Sequence, residues 1–322
     1  MERREFLMGA AAVAAAGLGR PASARAAQMS KQAALDRISI MSLNFQAILK
    51  VPDTPSEPTR TLELFDYPTM IADTYGVHRV EFQHYHLAST EESYLKELRS
   101  HVEKAKSRAM QINLEFADLN ISAPTVRNRV LAIDLTRDFV DHAVVLGAQR
   151  VMINQGQLTS ENKAVAIQTL KTMVDYGRSK GIIVSVETRG GGGGRGRGTV
   201  APGGATPPAP PPPPPGLPAP GPPTWMLLAE VIKGAGSYSN VDVGGAQAAN
   251  QQELHDCLRT MFPFTAGTMH TRVGANWDLA TAIRFLIKDL GYKGLFTIEA
   301  SNGHEGTKQI YDVVVATLPA LA

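Results

Sequence analysis

Four short apolar runs in the second half of the chain each end in, or just beyond, a residue able to bind a metal. They are Ile182 to Glu187, Asn240 to Gly244 (carrying Asp242), Gly267 to His270, and Leu295 to Glu299. Each is rich in β-branched or aromatic residues and bounded by Gly or turn residues, as a buried parallel strand reads. Asp242 to His270 and His270 to Glu299 are each separated by about one βα unit. Glu187 to Asp242 is longer, and a low-complexity stretch fills the difference. Glu, Asp, His and Glu are thus expected at the C-terminal ends of four successive parallel strands.

In a (β/α)8 barrel those ends converge on the mouth, where active sites are built. Any one of the four residues alone would be a core or solvated side chain. Together, unpaired carboxylates that close would repel one another, and a cation is the usual remedy. Oxygen and nitrogen donors suit Mn²⁺, Mg²⁺, Co²⁺ or Zn²⁺. Two residues before each expected ligand stands a small polar residue: Ser185, Asn240, Thr268 and Thr297. Side chains two apart share a strand face, so these four form a layer beneath the ligands. They act as supporting partners there, or simply fit a crowded interior.

The rest of the chain is consistent with eight units. Further strand-like runs lie at Ile38 to Phe45, Arg79 to Tyr85, Ile112 to Phe116 and Arg150 to Asn154. Helical periodicity lies between them, at Glu91 to Ala109, Arg129 to Leu146, Lys163 to Arg178, Gln251 to Met261 and Asp278 to Leu290. Gly147, Gly181 and Gly291 follow helical runs, as helix-terminating glycines do. The alternation argues for an α/β fold, a (β/α)8 TIM barrel over about 36–322. No GxGxxG follows the first strand, which leaves a dinucleotide fold without support.

Two segments fall outside that pattern. Residues 1–27 hold Arg3-Arg4-Glu5-Phe6-Leu7, an alanine-rich apolar run and a small-residue Ala24-Arg25-Ala26 site. They read as a twin-arginine signal peptide, too short to span a bilayer, and imply a periplasmic or secreted protein. The formal net charge of the 322 residues is +2, and residues 1–27 carry all of it with four Arg and two Glu. The near-neutral remainder argues against nucleic-acid or membrane-surface binding. Residues 190–223 run from Gly/Arg into Pro-rich sequence and cannot bury a core. They are expected to be a disordered insert at the barrel mouth, a tolerated insertion more than a mobile lid. Cys257 is the only cysteine, so no intrachain disulfide forms, and its amphipathic helix makes it a buried small hydrophobe.

On these residues the chain resembles the sugar phosphate isomerase/epimerase family with the xylose-isomerase-like barrel. The stretch Gly291-Tyr292-Lys293-Gly294-Leu295-Phe296-Thr297-Ile298-Glu299 is similar to that family's last strand and its ligand Glu. Val184-Ser185-Val186-Glu187, Val241-Asp242-Val243-Gly244 and Met269-His270 are similar to its fifth, sixth and seventh strand ends. The resemblance implies one divalent cation, Mn²⁺ first, held by Glu187, Asp242, His270 and Glu299. It also implies that Glu187 and Glu299 are the acid–base pair. The expected activity is a metal-dependent epimerisation or isomerisation of a keto-sugar by proton abstraction next to its carbonyl. The alternatives are lyase or hydrolase action on oxidised (3-keto) glycosides at the same metal site, and a non-catalytic secreted sugar-binding barrel.

The chain departs from the family beside these ligands. Thr188 and Arg189 follow Glu187, Gly244 and Gly245 follow Asp242, and Thr271 and Arg272 follow His270. Arg272 keeps a positive charge near the site and is a candidate contact to substrate oxygens. His84 and His86, at the end of the second strand, and Asn154, at the end of the fourth, are candidate sugar-hydroxyl contacts, or merely solvated strand-end residues. The expected partner is a small sugar; a homo-oligomer is compatible with the sequence.

Overall fold

The computed structural model describes residues 31–319 apart from 53, 56, 189–222, 245 and 247. The signal-peptide reading of 1–27 and nearly all of the 190–223 insert lie outside the described residues. Eight parallel strands close into a barrel in sequence order, β1 to β8. They are β1 Ile38–Met41, β2 Arg79–Gln83, β3 Arg108–Leu114, β4 Arg150–Ile153, β5 Ile183–Glu187, β6 Tyr238–Asp242, β7 Thr265–Thr271 and β8 Leu295–Ile298. The helices between and after them are α1 Tyr67–Tyr75, α2 Glu92–Lys104, α3 Val126–Leu146, α4 Lys163–Ser179, α5 Thr224–Ala235, α6 Gln251–Met261, α7 Leu279–Arg284 and α8 Gly303–Thr317. The fold is the expected (β/α)8 barrel. Among the described residues no helix is long and apolar enough to cross a membrane.

Strand alternation sorts the side chains into two environments. Ile38, Ile40, Val80, Phe82, Ile112, Val151, Val186, Val241, Met269, Phe296 and Ile298 are buried in the apolar layer between barrel and helices. The opposite face is unusual for a barrel interior, which bulky apolar residues normally fill. Ser39, Glu81, Gln111, Ser185, Asn240, Thr268 and Thr297 are all fully buried there. Below them Arg150 reaches across the floor to the Ala266 carbonyl at 3.0 Å. Arg37 seals the same end by donating to the carbonyls of Tyr292 and Gly294.

The barrel is closed by β1 against β8, with Ser39 opposite Thr297. Asn44, in a short 3-10 turn after β1, stitches the seam. Its amide nitrogen donates to the Ile298 carbonyl and its amide oxygen accepts from the Ala300 N–H at 2.8 Å.

Several boundaries differ from the sequence reading, each for a local reason. β2 stops at Gln83, and His84–His86 form a 3-10 turn rather than continuing the strand. β3 begins at Arg108, four residues earlier than its apolar run suggests, because α2 already ends at Lys104 and Lys106 turns the chain at φ 53°. The last predicted helix is divided. α7 starts where the Asp278 carboxylate accepts from the Thr281 N–H at 2.7 Å, and a π turn follows over Phe285–Asp289. Cys257 is buried in α6, and burial pushes its thiol up to about 12, so it is an inert packing residue.

α4 meets β5 at unusually close range through Gly177. A methyl group there would lie 2.7 Å from both the Ile182 carbonyl oxygen and a Val184 methyl. Gly177→Ala should therefore lower stability: overpacking costs about 1–3 kcal/mol, against about 1 kcal/mol gained in helix propensity. The check is the denaturant midpoint; an unchanged or higher midpoint would show that α4 is free to move off β5.

Candidate metal and acid–base centre

The ends of β5, β7 and β8 bring three donors together. One atom each from Glu187, His270 and Glu299 lies within 4.8 Å of the others, and all three residues are buried. His270 Nδ1 is 2.7 Å from Glu187 Oε1 and 3.1 Å from Glu299 Oε2. One N–H cannot serve two acceptors well. The aligned hydrogen bond goes to Glu187, and Glu299 Oε2 is left buried without a hydrogen-bond partner. An orphaned carboxylate lone pair beside a second carboxylate and an imidazole is a set that suits a divalent cation.

Asp242, the fourth expected ligand, is at the end of β6 but outside that group of three. Its Oδ1 accepts from the Gly244 N–H at 2.9 Å, and its Oδ2 pairs with the Arg272 guanidinium at 3.1 Å. The same guanidinium also pairs with Glu299 Oε1. Burial pushes Asp242 up to about 6, with Arg272 pulling the other way. Burial also opposes the charge on Glu299, but Arg272 and His270 outweigh it and hold that carboxyl below its usual value. For His270, burial alone would lower the pKa; the surrounding carboxyl groups of Glu187, Glu299 and Glu81 overcome it and raise it well above the ordinary value. Both imidazole nitrogens and the guanidinium thus face carboxyl groups.

Glu81 is a residue of this centre that the sequence reading missed. It is fully buried on β2, across the barrel from His270. Its Oε2 is 3.1 Å from His270 Nε2 and accepts from Gln111 Nε2 at 3.2 Å. Its Oε1 accepts from the Thr297 hydroxyl at 2.6 Å, and more weakly from Thr268. One imidazole nitrogen therefore faces Glu81 and the other faces Glu187 and Glu299, which leaves Nδ1 as the nitrogen available to a metal. A carboxyl group behind a ligating histidine fixes its ring and raises its basicity. The small polar layer divides accordingly: Thr268 and Thr297 serve Glu81, whereas the Ser185 hydroxyl and the Asn240 amide are buried without partners.

The other candidate residues separate. β2 ends at Gln83, so His84 and His86 lie in the turn beyond it rather than at the strand end. His84 Nδ1 accepts from the Glu115 N–H at 3.1 Å, and its ring packs on Phe116 at 3.8 Å. His86 is buried, with Nδ1 2.7 Å from the Ser42 hydroxyl. That hydroxyl also accepts from the Gln83 N–H. The other ring nitrogen of His86, Nε2, is buried without a partner. Gln83, two residues beyond Glu81, shares the inward face, and both of its buried amide atoms lack partners. Asn154 follows β4 on the inward side, its buried Oδ1 unpaired. Gln83, His86 and Asn154 thus keep hydrogen-bonding capacity for a polar ligand. Gln83 was legible as the polar position before His84.

Two outcomes follow from this geometry. Glu81→Gln keeps the shape but loses the charge behind His270, and should weaken Mn²⁺ binding by about 10–100-fold in a titration; unchanged affinity would make Glu81 a packing residue only. Burial first, then repulsion from His84 and Arg60, pushes His86 down to about 3 from 6.5. The folded state keeps it neutral while the unfolded state binds a proton, so stability is full above about pH 6.5 and falls as pH drops towards 3. The slope approaches about 1.4 kcal/mol per pH unit for one proton. His86→Asn should flatten that fall in melting curves; parallel wild-type and variant curves would contradict it.

No family model and no curated protein matches this sequence. Solved structures do match in fold. A xylose isomerase domain protein from Planctomyces limnophilus aligns at TM-score 0.62 and 10% identity, covering 89% of this chain and 98% of that one. A D-tagatose 3-epimerase-like protein aligns at TM-score 0.63 and 16% identity, covering 88% and 98%. The apo 3-keto-D-glucoside 4-epimerase from E. coli aligns at TM-score 0.60 and 11% identity, covering 88% and 99%. The structural neighbours of this chain are xylose isomerase-like and sugar-epimerase TIM barrels.

Proposed function

We propose that this protein is a divalent-metal-dependent sugar isomerase or epimerase that moves a proton next to the carbonyl of a keto-sugar. The observation that carries the reading is the approach of two carboxyl groups, Glu187 from β5 and Glu299 from β8, to one point at His270 Nδ1. Glu187, His270 and Glu299 would hold the cation, with Asp242 beside them; Mn²⁺ is the first expectation and Mg²⁺, Co²⁺ or Zn²⁺ the alternatives. When bound, such an ion polarises a carbonyl and neutralises charge developing on its oxygen.

The residues of the chain do the rest. One of the two Glu carboxylates takes the proton from the carbon between carbonyl and hydroxyl, and the other returns one. Return to the opposite face gives epimerisation; return to the neighbouring carbon gives isomerisation. Glu81 holds the imidazole still while this happens. Gln83, His86, Asn154 and Arg272 supply donors and acceptors suited to sugar oxygens. The twin-arginine pattern at Arg3-Arg4 supports work in the periplasm or outside the cell, where unphosphorylated sugars are the available class. The neighbour that is a 3-keto-D-glucoside 4-epimerase supports keeping oxidised glycosides in the substrate set. There the same proton abstraction would expel the aglycone if a leaving group stood on the next carbon.

The test is turnover of ketoses and 3-keto-glycosides in deuterated water with added Mn²⁺. The product should gain deuterium at the carbon next to the carbonyl. Glu187→Gln and Glu299→Gln should each lose roughly 10²–10⁴-fold in kcat as acid or base, beyond any loss of metal. Release of free aglycone would select the lyase. Turnover without solvent exchange would replace proton transfer by a hydride shift, and no turnover of any sugar at saturating metal would leave a binding barrel.

A further inference from the structure

Arg272 occupies ground that a metal ion would also claim. Its guanidinium bridges Asp242 and Glu299, one from each strand flanking β7. The stem that reaches there lies over Gly244. A methyl group at Gly244 would be 2.7 Å from Arg272 Cδ and 3.1 Å from its Cβ. Gly244 is not among the positive-φ glycines, so the backbone does not demand glycine there. The space does: the missing side chain is what lets the arginine lie down. The guanidinium Nε is buried without a partner, so the arginine satisfies the two carboxylates at the expense of one of its own donors. Its side chain is nevertheless 38% exposed, which gives it a way out of the site.

We propose that Arg272 is an internal counter-cation that competes with the divalent metal for Asp242 and Glu299, and that Gly244 exists to seat it. Without metal, the arginine neutralises two carboxylates that would otherwise repel each other and Glu187. With metal, the ion shares the charge of Glu299 through Oε2, and the guanidinium must release Asp242 before that carboxylate can join. The metal-binding constant of this protein is therefore set partly by the arginine it displaces. This also accounts for the small residue two positions beyond Asp242: a larger side chain would share the volume of the Arg272 stem.

The inference rests on reading Glu187, His270 and Glu299 as a metal site, and its test uses binding and melting rather than turnover. Full-length protein is stripped with chelator, and Mn²⁺ is titrated by calorimetry into wild type, Arg272→Met, Arg272→Lys and Gly244→Ala. Arg272→Met should bind Mn²⁺ about tenfold or more tightly, the scale of charge-assisted hydrogen bonds that no longer have to be broken. Gly244→Ala, which keeps the arginine but unseats it, should shift affinity the same way. Arg272→Lys keeps the charge but cannot bridge as a fork, so it should fall between wild type and Arg272→Met. In chelator, Arg272→Met should melt below wild type, and excess Mn²⁺ should close the gap. Equal or weaker Mn²⁺ binding by Arg272→Met and Gly244→Ala, with wild type binding normally, would overturn the competition and leave the metal reading standing. Affinity raised in Arg272→Met but unchanged in both Arg272→Lys and Gly244→Ala would reduce the effect to long-range charge and likewise overturn it. No Mn²⁺ binding by any of the four proteins would bring down the metal site and the inference together.

Discussion

The structure depends on keeping four carboxyl groups dry. Glu81, Glu187, Asp242 and Glu299 are all buried inside one barrel. Burying an ion costs several kcal/mol even after relaxation, so each must find a partner. His270 answers three of them, through Nε2 to Glu81 and Nδ1 to Glu187 and Glu299. Arg272 answers Asp242 and shares Glu299. Once that charge network is set, the polar interior is its consequence. Thr268, Thr297, Gln111 and Asn113 all donate to Glu81, and a wall of leucine and valine could not.

Much of this was legible in the sequence, and the division has a physical cause. The strand ends at Glu187, Asp242, His270 and Glu299 could be read because β-branched runs and turn residues are local signals. Glu81 could not. In Arg79-Val80-Glu81-Phe82-Gln83, alternation of polar and apolar residues normally means polar outward, towards solvent. Here the helices cover the outer face and take Val80 and Phe82, so the polar set turns inward. The partners that explain Glu81 stand up to 216 positions away, at Thr297. The end of β2 was misread for the opposite reason: the local pattern continued the strand, but the chain turns at Gln83 and the His84 ring joins Phe116 and Phe139.

Arg272 shows what residue type alone leaves open. Its charge and its place two residues past His270 are plain in the sequence. That its stem lies over Gly244 and its guanidinium reaches Asp242 depends on the space that a residue without a side chain leaves there. Identity fixes what a side chain can bind; the neighbour's volume fixes what it does bind.

The seam between β1 and β8 bears on how the protein reaches this state. Asn44 and Ile298 are 254 positions apart, so the barrel closes through a contact of very high sequence separation. Closing so long a loop costs entropy before any pairing rewards it, and such topologies fold slowly. The three candidate metal donors come from the ends of β5, β7 and β8, whereas Glu81, which faces their histidine, comes from β2. A half-formed barrel that gathered these donors would leave His270 Nε2 without the carboxylate that faces it. The imidazole is held from both sides only when the two halves of the chain meet, so the complete centre exists only in the closed barrel.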